Sequence, residues 1–119
     1  MEPISEERQR KVYEWACPDL KGKDWTLMGS RTGEPWAHWP GHFRPLSKMT
    51  LPALYVRDSS GNWQPNYQWF CVDAEAQLLK EGYEVNKYGK NWGIGFDNRW
   101  YWNGDNDPIA ALAEYVEAK

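Results

Sequence analysis

Residues 91–102 read NWGIGFDNRWYW. Glycines at 93 and 95 alternate with Trp92, Ile94 and Phe96; Asp97 and Asn98 form a polar break, and Trp100, Tyr101 and Trp102 follow in a row. Alternating segments on either side of a short polar break predict a hairpin. A two-residue turn pairs Phe96 with Arg99, Gly95 with Trp100, Ile94 with Tyr101 and Gly93 with Trp102, so each glycine faces an indole. An aromatic laid over a neighbouring glycine offsets its poor strand propensity, and Trp92, Ile94, Phe96 and Tyr101 take the other face. A three-residue turn would instead move Trp100 and Trp102 onto the face of Trp92, Ile94 and Phe96. Asp and Asn accept positive φ more readily than Arg99 does, which favours the two-residue turn. On that register the stretch reads as cross-strand filling beneath a helix rather than as the floor of a ligand site.

Outward from the hairpin, Tyr83 and Val85 alternate with polar residues in YEVNK at 83–87, which reads as a strand, and YGK at 88–90 makes a turn that joins it to the hairpin, giving a three-strand meander. Ahead of it, Asp73 can cap a helix running to about Glu81, with Val72, Ala76, Leu79 and Tyr83 at helical spacing and Gly82 placed to end it. After it comes the strongest helix signal in the chain. Asp107 caps, Pro108 takes the first helical position, and Ile109, Leu112, Ala113 and Val116 recur at i, i+3, i+4 and i+7.

The N-terminal half carries weaker signals. Ser5 can cap a helix whose first turn holds Glu6 and Glu7, acids that suit the positive helix end; Pro18 stops it near Ala16 or Cys17, and Val12, Trp15 and Ala16 form its apolar face. DWTLMG at 24–29 and ALYVRD at 53–58 read as strands, and SSGN at 59–62 as a turn leading into Trp63. Residues 66–70 are compatible with either helix or strand. Between the first two strands, residues 30–47 hold three prolines and two glycines and read as a long irregular loop.

The order is therefore helix, strands, helix, three-strand meander, helix. Hairpin-length connections require antiparallel pairing, and apolar faces on both helices and strands require that they pack together. The expected fold is α+β: an antiparallel sheet of about four strands layered with about three helices, in a single domain over residues 1–119.

Length and charge bound the function. A chain of 119 residues buries roughly two-thirds of its unfolded surface, enough for one modest core. Nine tryptophans and seven tyrosines put much of the apolar area into few rigid side chains. Fourteen basic against seventeen acidic residues give a net charge of −3, and no basic run could neutralise a row of phosphates, which argues against nonspecific nucleic-acid binding. No apolar run approaches a membrane span, and MEPISEERQRK is charged where a signal peptide would be apolar, so a cytoplasmic protein is expected. Cys17 and Cys71 have no CxxC spacing, which points to two reduced, largely buried thiols.

The segments WFCVDAEAQLLKEGYEV (69–85), WGIGFDNRWYW (92–102) and DPIAALAEYVEA (107–118), with KVYEWA (11–16) near the start, resemble the pattern of the phage ABA sandwich family. The resemblance mainly covers residues 69–119. It implies a small phage- or prophage-encoded accessory protein, and it carries over no catalytic residue.

Chemistry-bearing residues are densest in WAHWPGHF at 36–43, which holds both histidines of the chain. Pro40 and Gly41 break the helix on which His38 and His42 would share a face, and a zinc site would lack further ligands. Asp105 and Asp107 stand beside a helix start without the register of a calcium loop. No GxSxG or complete GxGxxG occurs. No cofactor or metal is expected. Trp36, His38, Trp39, His42 and Phe43 are the candidate partner- or ligand-binding residues, packing of the loop being the competing explanation. Three functions follow in order of preference. The first is binding of a host or phage protein, as an inhibitor of a host defence or other machine. The second is a small-ligand or carbohydrate-binding domain, and the third a hydrolase using His38 or His42.

Overall fold

The computed structural model of the chain describes residues 2–28, 36–39, 42–45 and 53–119, the strands between 27 and 45 as backbone only. The fold is α+β, with antiparallel strands and three helical bodies.

Helix α1 spans Glu6–Ala16; the Ser5 hydroxyl accepts from the Arg8 amide at 3.3 Å, as a cap should. It buries Val12 and Trp15, and also Tyr13 and Gln9, while Ala16 is half-buried. A single 3₁₀ turn at Pro18–Leu20 carries the chain to strand β1, Thr26–Met28. Within the stretch read as a long irregular loop, β2 (Trp36–Trp39) and β3 (His42–Pro45) are paired strands. β1 pairs with β2 through Leu27↔Ala37, and β2 with β3 through His38↔Phe43. Aromatic-rich four-residue runs suit a pleated ladder, and Pro45 stands at a strand end, where a missing N–H is tolerated. Strands β4 (Tyr55–Arg57) and β5 (Trp63–Pro65) form a second antiparallel pair.

The middle helix departs most from its sequence pattern. It begins at α2 (Tyr67–Trp69), runs through a π-helical stretch at Phe70–Ala74 and ends as α3 (Glu75–Lys80). Asn66, not Asp73, caps it: the Asn66 side-chain oxygen accepts from the Trp69 amide at 3.2 Å. The buried positions are Trp69 and then Phe70, Ala74 and Leu78, the last three spaced by four through the wide π turn. Val72 and Leu79, expected inside, are 63% and 58% exposed. Cys71 falls on the same outer side, so only Cys17, half-buried, fits the reading of largely buried thiols. Gly82, at φ +89°, ends the helix as expected.

Strands β6 (Glu84–Tyr88), β7 (Asn91–Phe96) and β8 (Arg99–Asn103) form the meander. The β7–β8 register is Phe96↔Arg99, Gly95↔Trp100, Ile94↔Tyr101 and Gly93↔Trp102, the two-residue-turn register. Asp97 has φ +56°, and Asn98 does not share the positive φ, which is the pattern of a type II′ turn. Helix α4, Pro108–Glu117, lies against β7, β8 and α1, and every residue from Pro108 to Ala113 is buried.

Two carboxylates, Asp107 buried and Glu81 half-buried, tie the layers. Asp107 caps α4 by accepting from the amides of Ile109 at 3.0 Å and Ala110 at 3.3 Å, and it also accepts from the Tyr55 hydroxyl at 2.7 Å. Burial raises its pKa despite these three donors. Glu81 gathers the Trp15 indole N–H at 2.8 Å, the Tyr115 hydroxyl at 2.5 Å and the Lys119 ammonium, joining α1, the end of α3 and α4. The buried apolar residues of all these elements make one cluster.

Candidate functional site

The meander has two unlike faces. Side chains alternate along a strand, so Trp92 and Ile94, both buried, define the inner face against α4 and the middle helix. Trp92 meets Phe70 there edge-on at 5.4 Å. Gly93 and Gly95 open onto the outer face, together with Trp100 and Trp102 of β8 and Glu84, Asn86 and Tyr88 of β6 by register.

On that outer face the Trp102 indole lies flat over Gly93, and Trp100 crowds Gly95. A Cβ built on Gly93 would stand 2.6 to 2.7 Å from three atoms of the Trp102 six-membered ring. Near-equal distances to three ring atoms mean that the glycine meets the face of the ring, not its edge. A Cβ on Gly95 would crowd both the Arg99 carbonyl oxygen and the Cδ2 and Cε3 atoms of Trp100. Both glycines are buried beneath the indoles. Trp100 and Trp102 are two residues apart on one strand and form a stacked pair, their ring centroids 5.6 Å apart and planes within 26°. The Trp100 indole N–H donates to the Asp97 carbonyl at 3.0 Å, which locks the first ring in place. Tyr88 closes one end, tilted 45° at 5.7 Å from Trp102.

Tyr88 and Trp102 face solvent, 67% and 40% exposed, while Trp100 is half-buried. Beside them, Glu84 pairs across the sheet with Gly95, beneath Trp100, and Asn86 with Gly93, beneath Trp102. Among the described residues, neither side chain makes a hydrogen bond. Lys87, the cation of β6, sits over the Trp92 ring of the inner face at 4.9 Å. Among the described residues, the outer face therefore offers π surface and neutral or acidic hydrogen-bonding groups, and none of its strand positions carries a cation.

A second exposed feature lies at the hairpin tip. Phe96, 63% exposed, meets Tyr83 edge-on at 6.3 Å, and the two line a cleft of about 360 Å³ with Asp97, Asn98 and Arg99. Here the ring projects rather than lying flat.

Of the residues proposed from sequence, Trp36, His38 and Trp39 stand on β2 and His42 and Phe43 on β3, with Trp39 opposite His42. Their side chains lie outside the described residues. The site residues that sequence reading missed are Glu84, Asn86 and Tyr88, and it gave Trp100 and Trp102 a filling role alone. The signal was present: the outward positions of β6 are polar or amphipathic, which leaves the outer face with no apolar layer to cover it.

No helix among the described residues is long and apolar enough to cross a membrane. No family model matches the chain, and neither a curated protein nor a solved structure matches it.

Proposed function

We propose that this chain is a binding protein, acting by contact rather than catalysis, and that its contact surface is the outer aromatic face of the meander. The ligand is a small molecule or carbohydrate whose flat apolar side stacks on an indole. The observation that carries this reading is the flat lie of the exposed Trp102 over Gly93. An interface anchor typically inserts into a pocket on its partner, whereas rings pressed onto their own strand can offer only their faces. The test is a titration of a panel of soluble glycans followed by tryptophan fluorescence. Quenching by at least one glycan, lost in Trp102→Ala, supports the reading, and an unchanged emission across the panel removes it.

A second reading keeps the order preferred from sequence: a phage- or prophage-encoded accessory protein in the bacterial cytoplasm, binding and inhibiting a host protein. The projecting Phe96, rimmed by Asp97 and Arg99, favours it, because an exposed aromatic ringed by charges has the anatomy of an interface anchor. Stoichiometric retention of a protein from bacterial lysate, abolished by Phe96→Ala and unaffected by Trp102→Ala, would select this reading over the first.

A further inference from the structure

We infer that the outward side of the middle helix is a self-association surface, on which a second copy of this chain docks its own middle helix antiparallel to the first. The inference is independent of the aromatic face, which lies on the other side of the meander. Phe70 packs on Trp92 of the inner sheet face, so the helix turns its opposite side to solvent. That side carries Val72, Ala76 and Leu79, all exposed and spaced by four and then three, which makes them one apolar stripe. A helix buries such a stripe when it has a partner. Within the chain the partner is taken by Phe70, Ala74 and Leu78 on the other side. Val72 and Leu79 stand at the two ends of the stripe, and the small Ala76 between them leaves a shallow centre into which a second helix fits.

The charges beside the stripe select the occupant. Asp73 and Lys80 are seven residues apart, so two helical turns set them on one flank, both exposed. Among the described residues neither makes an ion pair or a hydrogen bond. A two-fold axis at the level of Ala76 lays two such helices antiparallel, and it brings Asp73 of each copy level with Lys80 of the other and Val72 level with Leu79. Two ion pairs then close beside one apolar centre. A parallel pair would instead set acid level with acid and lysine level with lysine. Glu75, half-buried on the opposite flank, has Cys71 and Lys87 of its own chain beside it. A helix of roughly 20 Å gives an interface at the small end of the range, so the dimer is a weak one, with a dissociation constant on the order of 10 μM. Both aromatic faces of the dimer stay open.

The test is sedimentation equilibrium of the full chain over a concentration series. The protein should pass from monomer to dimer with a midpoint on the order of 10 μM. Asp73→Lys and Lys80→Asp should each weaken the dimer by about tenfold, because both attractive pairs become repulsive. An equimolar mixture of these two variants should associate again as a heterodimer, and the double variant should regain the original affinity. Both positions are exposed, so the circular dichroism of each variant should match that of the parent and the result does not depend on a damaged fold. Leu79→Glu should abolish the dimer, and Trp102→Ala should leave it unchanged. A monomer up to roughly tenfold above the expected midpoint overturns the inference. So does a dimer indifferent to the charge reversals and to Leu79→Glu, or a loss that neither the mixture nor the double variant restores. A dimer lost in Trp102→Ala and kept in Leu79→Glu would put the contact on the aromatic face, which overturns this inference and the ligand reading of that face together.

Discussion

Trp102 rests flat on Gly93, so closely that the Cβ of any other residue at 93 would stand 2.6 Å from the indole. The glycine is there because the ring takes the place of its side chain. Gly93→Ala should therefore destabilise the protein by about 1–3 kcal/mol, the cost of overpacking, although alanine suits a strand better than glycine does. In a Trp102→Ala background the same substitution should be neutral or stabilising. Urea denaturation of the four proteins of this double-mutant cycle measures the coupling, and additive effects would contradict the packing.

The turn before it makes a sharper demand on its first residue than on its second. Asp97 holds φ +56° and Asn98 does not share the positive φ. Asp97→Gly should stabilise by about 0.5–1 kcal/mol, because a type II′ turn favours glycine at that position. Asn98→Gly should give no such gain. Thermal melts of the two variants distinguish this turn from one with positive φ at both residues.

Glu81 sets the acid limit of the fold. Burial alone would raise its pKa, but the Lys119, Tyr115 and Trp15 donors outweigh burial and hold it below the usual carboxylate range. A carboxyl with a depressed folded pKa contributes stability that is present above its unfolded pKa and lost as pH falls through the folded one. Stability should thus decline on acidification below the ordinary glutamate range, and Glu81→Gln should flatten that limb in denaturation curves taken across pH. Glu81→Ala, which strands the Trp15 and Tyr115 donors, should cost about 1–3 kcal/mol at neutral pH.

The middle helix predicts opposite results for adjacent leucines. Leu78 is fully buried and Leu79 is 58% exposed. Leu78→Ala should cost about 2–5 kcal/mol, whereas Leu79→Ala should stay within about 0.5 kcal/mol. Equal losses in chemical denaturation would mean that the helix is turned the other way.

The same helix shows why part of the molecule could not be read in advance. Val72, Ala76, Leu79 and Tyr83 make an acceptable apolar stripe at helical spacing, and Asp73 an acceptable cap. The chain instead starts its helix at the Asn66 cap and widens a turn over Phe70–Ala74, because that rotation buries Trp69 and Phe70. Burying those two large rings gains more than burying Val72 and Leu79 would, since aromatic area dominates the apolar term. No local pattern states which of two stripes will find a partner.

Where the determinants were local, the sequence sufficed. The Ser5 and Asp107 caps, Pro108 at the head of α4, the Gly82 stop and the pairing of Gly93 and Gly95 with Trp102 and Trp100 all rest on residues within a turn or a hairpin of one another. What only the tertiary structure decided was which side of each element meets solvent. The pairing of glycine with indole is the same whether the face is covered or bare. It became a candidate binding surface because α4 and the middle helix lie against the other side of the sheet, and burial of a face depends on elements distant in the chain.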